Sequence, residues 1–185
     1  MSKMHRTLLT TLQKRQKCHD ERSHQDILAE NMYVRLKHMT LHFYKYSMRV
    51  YVAEKSHNVE QLRATLVDSL IICLASANAL KIFLDDHLKI EASSISELFS
   101  KLSINNNDHK IVFDEVLDSL LVLGGQMAKI MESTDHMERG DPRTEMGRLV
   151  PELFFSLAKH TKALDIDIEQ SIEQRFVAIE SAFDL

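Results

Sequence analysis

A chain of 185 residues with 4 Gly, 2 Pro and 44% apolar residues is long enough to bury a real core in one domain and has few places where a helix must break. Its formal net charge of −4, from 23 basic and 27 acidic residues, lacks the basic excess of a protein that binds duplex nucleic acid. Cys18 and Cys73 match no disulfide or metal pattern. Residues 1–17 lack the apolar region of a secretory signal, and the best charge-free run, 69–80, falls short of the roughly 18 apolar residues that span a bilayer. The expectation is one all-α domain, 1–185, in a reducing, cytoplasmic setting with no membrane partner.

In chain order, residues 1–24 form a basic N-terminal segment in which 7–17 read as a short amphipathic helix carrying Leu8, Leu9 and Leu12 on one side. Residues 25–56 read as one long helix. Ala29, Met32, Leu36, Met39, Phe43, Tyr46, Val50 and Ala53 recur at alternating steps of three and four, a seam that either packs within the chain or pairs two copies. His38 and His42, four apart, can present two imidazoles to one metal, but the sequence offers no third ligand, and a polar flank beside the seam is the plainer reading. After a break at His57 and Asn58, a helix runs from 59 to 87, closed by Asp85 and Asp86. Its apolar residues cover most of the circumference, which predicts a central, buried position. Ser94 and Glu97 have the spacing of a capping box for a short helix to about 102, and Asn105 to Asn107 mark a loop. The next helix, 110–134, carries Phe113, Val116, Leu120, Met127 and Met131, with Gly124 and Gly125 predicting a close helix contact or a bend. Asp141 caps a helix that begins at Pro142, and Pro151 kinks or restarts it. Asp167, three before Gln170, caps a last helix bearing Ile168, Ile172, Phe176, Ile179 and Phe183.

Two of these stretches align. LVDSLIICLASANALKI (66–82) and LVPELFFSLAKHTKALDI (149–166) place Leu66, Val67, Leu70, Leu74 and Ala75 on Leu149, Val150, Leu153, Leu157 and Ala158. A one-residue shift then sets Ala79, Leu80 and Ile82 on Ala163, Leu164 and Ile166. The chain therefore reads as a helical bundle with an internal pseudo-repeat, 25–86 and 110–185. Asp68 falls among Ala64, Ile71, Ile72 and Ala75, where an unpaired carboxylate is costly. It needs a partner, either a cation-bearing side chain or a metal.

The segment ALDIDIEQSIEQRFVAIESAF resembles the final turn and helix of the MazG-like all-α nucleoside triphosphate pyrophosphohydrolases, and the stretch from Asp68 to Ile82 is similar to that group's metal-binding helix. The resemblance implies a helical protein handling a nucleoside triphosphate, with Mg²⁺ held by carboxylates on neighbouring helices. Asp68, Glu54 and Glu60 are the metal ligands it suggests, with Glu132, Glu145 and Glu152 as a second set, and Asn78 as a ligand-contacting amide. The chain departs from the family's pattern. Thr65 stands where the Glu preceding Asp68 belongs, Pro151 or Glu152 stands in for Asp68 in the second copy, and Leu123 and Gln126 replace two upstream acids. The expectation is a divergent, catalytically weakened or inactive member acting as a nucleotide-binding or protein-interaction module, with the Mg²⁺-dependent pyrophosphohydrolase that releases NMP and pyrophosphate as the alternative. The seam and the resemblance together predict a homodimer.

Overall fold

The computed structural model describes residues 7–104 and 108–183, so the expected loop at Asn105 to Asn107, like the side chain of Phe183, lies outside the described residues. Among the described residues there are eight α-helices and no strand: α1 (Leu8–Ser23), α2 (Gln25–Ala29), α3 (Met32–Lys55), α4 (Val59–Leu80), α5 (Ile95–Leu102), α6 (His109–Asp135), α7 (Pro142–Ala158) and α8 (Ile168–Phe183), with 3₁₀ turns at Leu84–His87 and Lys162–Leu164. The helix α3 packs along both α4 and α6, and α7 packs along the same two, which closes a four-helix bundle. Over it, α1 covers α4, α8 bridges α1 and α4, and α5 rests on α7 and α8.

The core is built around α4, as its apolar circumference predicts. Leu62, Leu66, Leu70, Cys73, Leu74, Ala77 and Leu80 are all fully buried. By length and composition this helix passes the test for a membrane span, yet most of it is enclosed by its own chain. The seam of α3 is also spent internally. Leu36, Met39, Phe43, Tyr46, Val50 and Ala53 are buried in the bundle.

The duplication is written into the backbone. Among the described residues, four non-glycine residues have positive φ: His57, Lys81, Met137 and Asp165. They fall at matching places, one after each of α3, α4, α6 and the 3₁₀ turn that follows α7. After α3, the N–H of His57 donates to Glu54 O and that of Asn58 to Ala53 O. After α6, Met137 donates to Thr134 O and Glu138 to Ser133 O in the same pattern. After α4, Lys81 donates to Asn78 O and Ile82 to Ala77 O, and Asp165 to Lys162 O and Ile166 to Thr161 O repeat it. Such left-handed closures satisfy carbonyls that a helix end leaves open. Lys81–Ile82 and Asp165–Ile166 are the residues the internal alignment pairs.

Several boundaries differ from expectation. The long helix over 25–56 is interrupted. Chain leaving α2 is extended at Glu30, and the Asn31 side chain accepts hydrogen bonds from the N–H groups of Tyr33 and Val34, starting α3 afresh and leaving Ala29 exposed off the seam. Asp85 does not close α4, which ends at Leu80. Its carboxylate instead accepts from the N–H of Leu9 (3.1 Å) and from both the N–H and hydroxyl of Thr10 (2.7 Å each). It thus caps α1 from another element, where open N–H groups and the positive end of the helix dipole favour an anion. α7 runs unbroken through Pro151. The residue four before it is Gly147, which has open space where a Cβ would stand. α6 runs through the glycine pair, and a Cβ on Gly124 would meet Cβ of Phe43 at 3.5 Å, an ordinary van der Waals contact, where α6 packs on α3.

Candidate functional site

Asp68 lies in the middle of α4, buried, with its carboxylate turned toward α3 and α8. Arg175 of α8 donates from Nε to Oδ1 at 2.6 Å and from Nη2 to Oδ2 at 3.4 Å, and Arg49 of α3 donates from Nη1 to Oδ2 at 3.3 Å. The guanidinium of Arg49 lies 5.6 Å from the centroid of the Tyr46 ring. Two guanidinium groups supply the charge and directed N–H donors that a carboxylate in apolar surroundings requires.

The carboxylates that resemblance associates with magnesium are not brought together. Glu54, near the end of α3, pairs with Lys55 (3.6 Å) and Lys110 (4.0 Å), and Glu60 is exposed and pairs with Arg63 (2.9 Å). The second set is equally dispersed: Glu132 meets Lys129 (2.6 Å), Glu152 meets Arg148 (3.0 Å), and Glu145 is exposed at the start of α7. Magnesium takes six oxygen ligands in near-octahedral geometry. With both Asp68 oxygens engaged by arginine, and with Glu60 and Asp165 of the same cleft turned to Arg63, these residues do not fit that ion. Asn78 is an internal fastener. Its Nδ2 donates to the carbonyl of Gln13 (2.8 Å) and to Oε1 of Gln16 (2.7 Å), and its Oδ1 accepts from Gln13 Nε2 (3.3 Å). These bonds fix α1 on α4.

The Asp68–Arg49–Arg175 group borders two cavities. The larger, of about 620 Å³, adds Gln61, Arg63, Ser171 and Gln174 from α4 and α8, and the acids Glu60 and Asp165. The smaller, of about 290 Å³, lies under α1 and α3 and is lined by His19, Asp20, His24, His38, His42, Lys45 and Tyr46. On its α3 wall the Nε2 atoms of His38 and His42 are 3.1 Å apart, while Nδ1 of His42 lies 2.9 Å from the Lys45 ammonium and 3.2 Å from the Tyr46 hydroxyl. Lys45 has only protons to give, so Nδ1 accepts and Nε2–H donates to His38. Burial, and then the neighbouring Lys45 and His38, lower the pKa of His42 to about 4.

On the α1 wall, His19 is 3% exposed. Its ring stacks on Phe176 at 4.2 Å, and its Nδ1 lies 3.0 Å from Oε1 of Glu180. Nε2 of the same ring is buried with no hydrogen-bond partner. α1 stops at Ser23, and His24, at φ −138° and ψ 42°, turns the chain back so that its ring meets that of His19 edge-on at 5.4 Å. Ligand atoms of His19, Asp20 and His24 all lie within 4.8 Å of one another. Burial pushes the Asp20 carboxyl up, opposed by a hydrogen bond from Gln16 and by His24, His19 and Arg35 nearby. This cluster was not read from sequence, because α1 was expected to stop at Lys17. The available signal was H-D-x-x-x-H immediately before a helix break.

No family model, curated protein or solved structure matches this chain.

Proposed function

We propose that the chain is a divergent MazG-like helical protein that has given up magnesium-dependent pyrophosphohydrolysis and binds a nucleotide without turning it over. The observation that carries the reading is the state of Asp68: at the position where the resemblance calls for a metal-holding acid, both oxygens are occupied by Arg175 and Arg49. A carboxylate so neutralised has little to offer a divalent ion, whereas arginines at the edge of a cleft suit phosphate oxygens. The cleft of about 620 Å³ that Arg49, Arg63 and Arg175 line has the volume of an ordinary small-molecule site. Gln61, Ser171 and Gln174 add neutral hydrogen-bonding groups there. We infer too that two copies associate. The seam of α3 is consumed inside the chain, but Leu41, Tyr44, Met48, Tyr51 and Val52 leave a separate exposed apolar stripe along the same helix.

The test is a screen of nucleoside triphosphates with Mg²⁺ or Mn²⁺, following pyrophosphate release and, separately, equilibrium binding. The expected result is binding that Arg63→Ala weakens at least tenfold, with no release above background. Metal-dependent release that is abolished by Asp68→Asn would restore the hydrolase. Absence of any nucleotide binding would leave the protein-interaction module as the reading.

A further inference from the structure

The cavity beneath α1 has no part in that proposal, and it collects chemistry of another kind. His19 is held as a metal-ligating histidine usually is. One ring nitrogen, Nδ1, is set against the Glu180 carboxylate at 3.0 Å, a contact that fixes the tautomer and makes the other nitrogen more basic. That other nitrogen, Nε2, carries the lone pair in this tautomer and is buried with no partner, in a ring that lines the cavity. A buried acceptor left unbonded is costly, and a bound ion would satisfy it. Asp20 and His24 lie nearby, one ligand atom from each of the three residues being within 4.8 Å of the others. On the α3 wall of the same cavity, His38 and His42 are hydrogen-bonded to each other, Nε2 to Nε2 at 3.1 Å.

We propose that His19, Asp20 and His24 form a site for a divalent first-row transition metal ion, oriented by Glu180 and opening into the cavity that His38 and His42 line. Two imidazoles and one carboxylate select zinc, cobalt, nickel or iron over magnesium, which prefers an all-oxygen shell. A three-ligand site with its remaining positions facing a cavity is the arrangement that leaves room for a bound water or a substrate.

Tag-free full-length protein, stripped with chelator, is titrated with Co²⁺, whose visible ligand-field absorption reports nitrogen and oxygen ligation, and then with Zn²⁺ and Mg²⁺. One Co²⁺ per chain is expected, displaced by Zn²⁺ and untouched by excess Mg²⁺, with the ion raising the unfolding temperature of the parent. Asp20→Asn and His24→Ala are expected to weaken Co²⁺ at least tenfold and to abolish the thermal shift, and Glu180→Gln, a positioning change, to weaken it about 10- to 100-fold. His19→Gln removes a buried group and is read only if its circular dichroism matches the parent. His24 is half-buried at a helix end, and its variant decides the matter if His19→Gln does not fold. Absence of saturable Co²⁺ binding by the parent at 100-fold molar excess, or affinity unchanged in both Asp20→Asn and His24→Ala, overturns the site.

Discussion

Asp68 shows how much of a residue's role its neighbours decide. Its place on an apolar helix face required a partner, and that much was legible from the spacing of Ala64, Ile71, Ile72 and Ala75. Which partner it took was not, because Arg175 lies 107 residues away on a helix whose approach angle no local pattern encodes. Removing the acid strands two guanidinium groups. Breaking a wholly buried pair costs about 3–5 kcal/mol, but the arginine side chains here are 43% and 39% exposed. Asp68→Ala is therefore expected to lower stability by about 2 kcal/mol in urea unfolding. Arg175→Met in the same chain should return part of that loss, which a double-mutant cycle would read as coupling. His160 gives a second case. It is fully buried just after α7, and burial, then Lys159, lower its pKa to about 4 against the attraction of Glu115. Between about 4 and the unfolded value near 6.5, the unfolded chain holds a proton that the folded chain refuses. Stability is thus whole above about pH 6.5 and falls as pH drops toward 4, by about 3 kcal/mol at most. Equilibrium unfolding at a series of pH values should show this slope, and His160→Leu should reduce it, leaving the part that His42 contributes over the same range.

Secondary elements were legible wherever a side chain announced the boundary. Ser94 accepts from the N–H of Glu97 and Asp141 from that of Thr144, and each starts its helix at the expected residue. Asn31 is the same kind of cap, yet the heptad pattern over 25–56 runs straight through it and hid it. Pro151 misled in the opposite sense, because α7 runs unbroken through it. The repeat was visible as aligned leucines, but the four left-handed closures were not, since two are made by Lys81 and Met137, residues with no preference for that conformation. An L-residue with a Cβ pays about 1 kcal/mol to sit there. Lys81→Gly and Asp165→Gly are accordingly expected each to raise the unfolding free energy by about 0.5–1 kcal/mol and to act additively, being separate turns of equivalent form. A destabilisation by either would mean that its side chain, not its backbone angle, holds the turn.

At the scale of the molecule, the bundle satisfies within one chain the seam that sequence reading offered to a partner, and the exposed stripe of α3 is what remains for a second copy. Light scattering at micromolar concentration is expected to give twice the chain mass, falling to one chain mass in Leu41→Glu together with Met48→Glu; a parent that is monomeric throughout would remove the dimer. The two halves are also laced together. The last helix of the second half, α8, covers the central helix of the first, while α5 from the connector between the halves lies on α7 of the second. That interlacing has a consequence in time. During synthesis, α4 is complete long before its second guanidinium exists. At about 5–20 residues per second, the 107 residues from Asp68 to Arg175 take roughly 5 to 20 s to emerge. Throughout that interval the most apolar helix of the protein stands beside α3 with one side uncovered and its acid half paired. The nascent chain is expected to be most prone to aggregation in those seconds, before α7 and then α8 have emerged to cover α4.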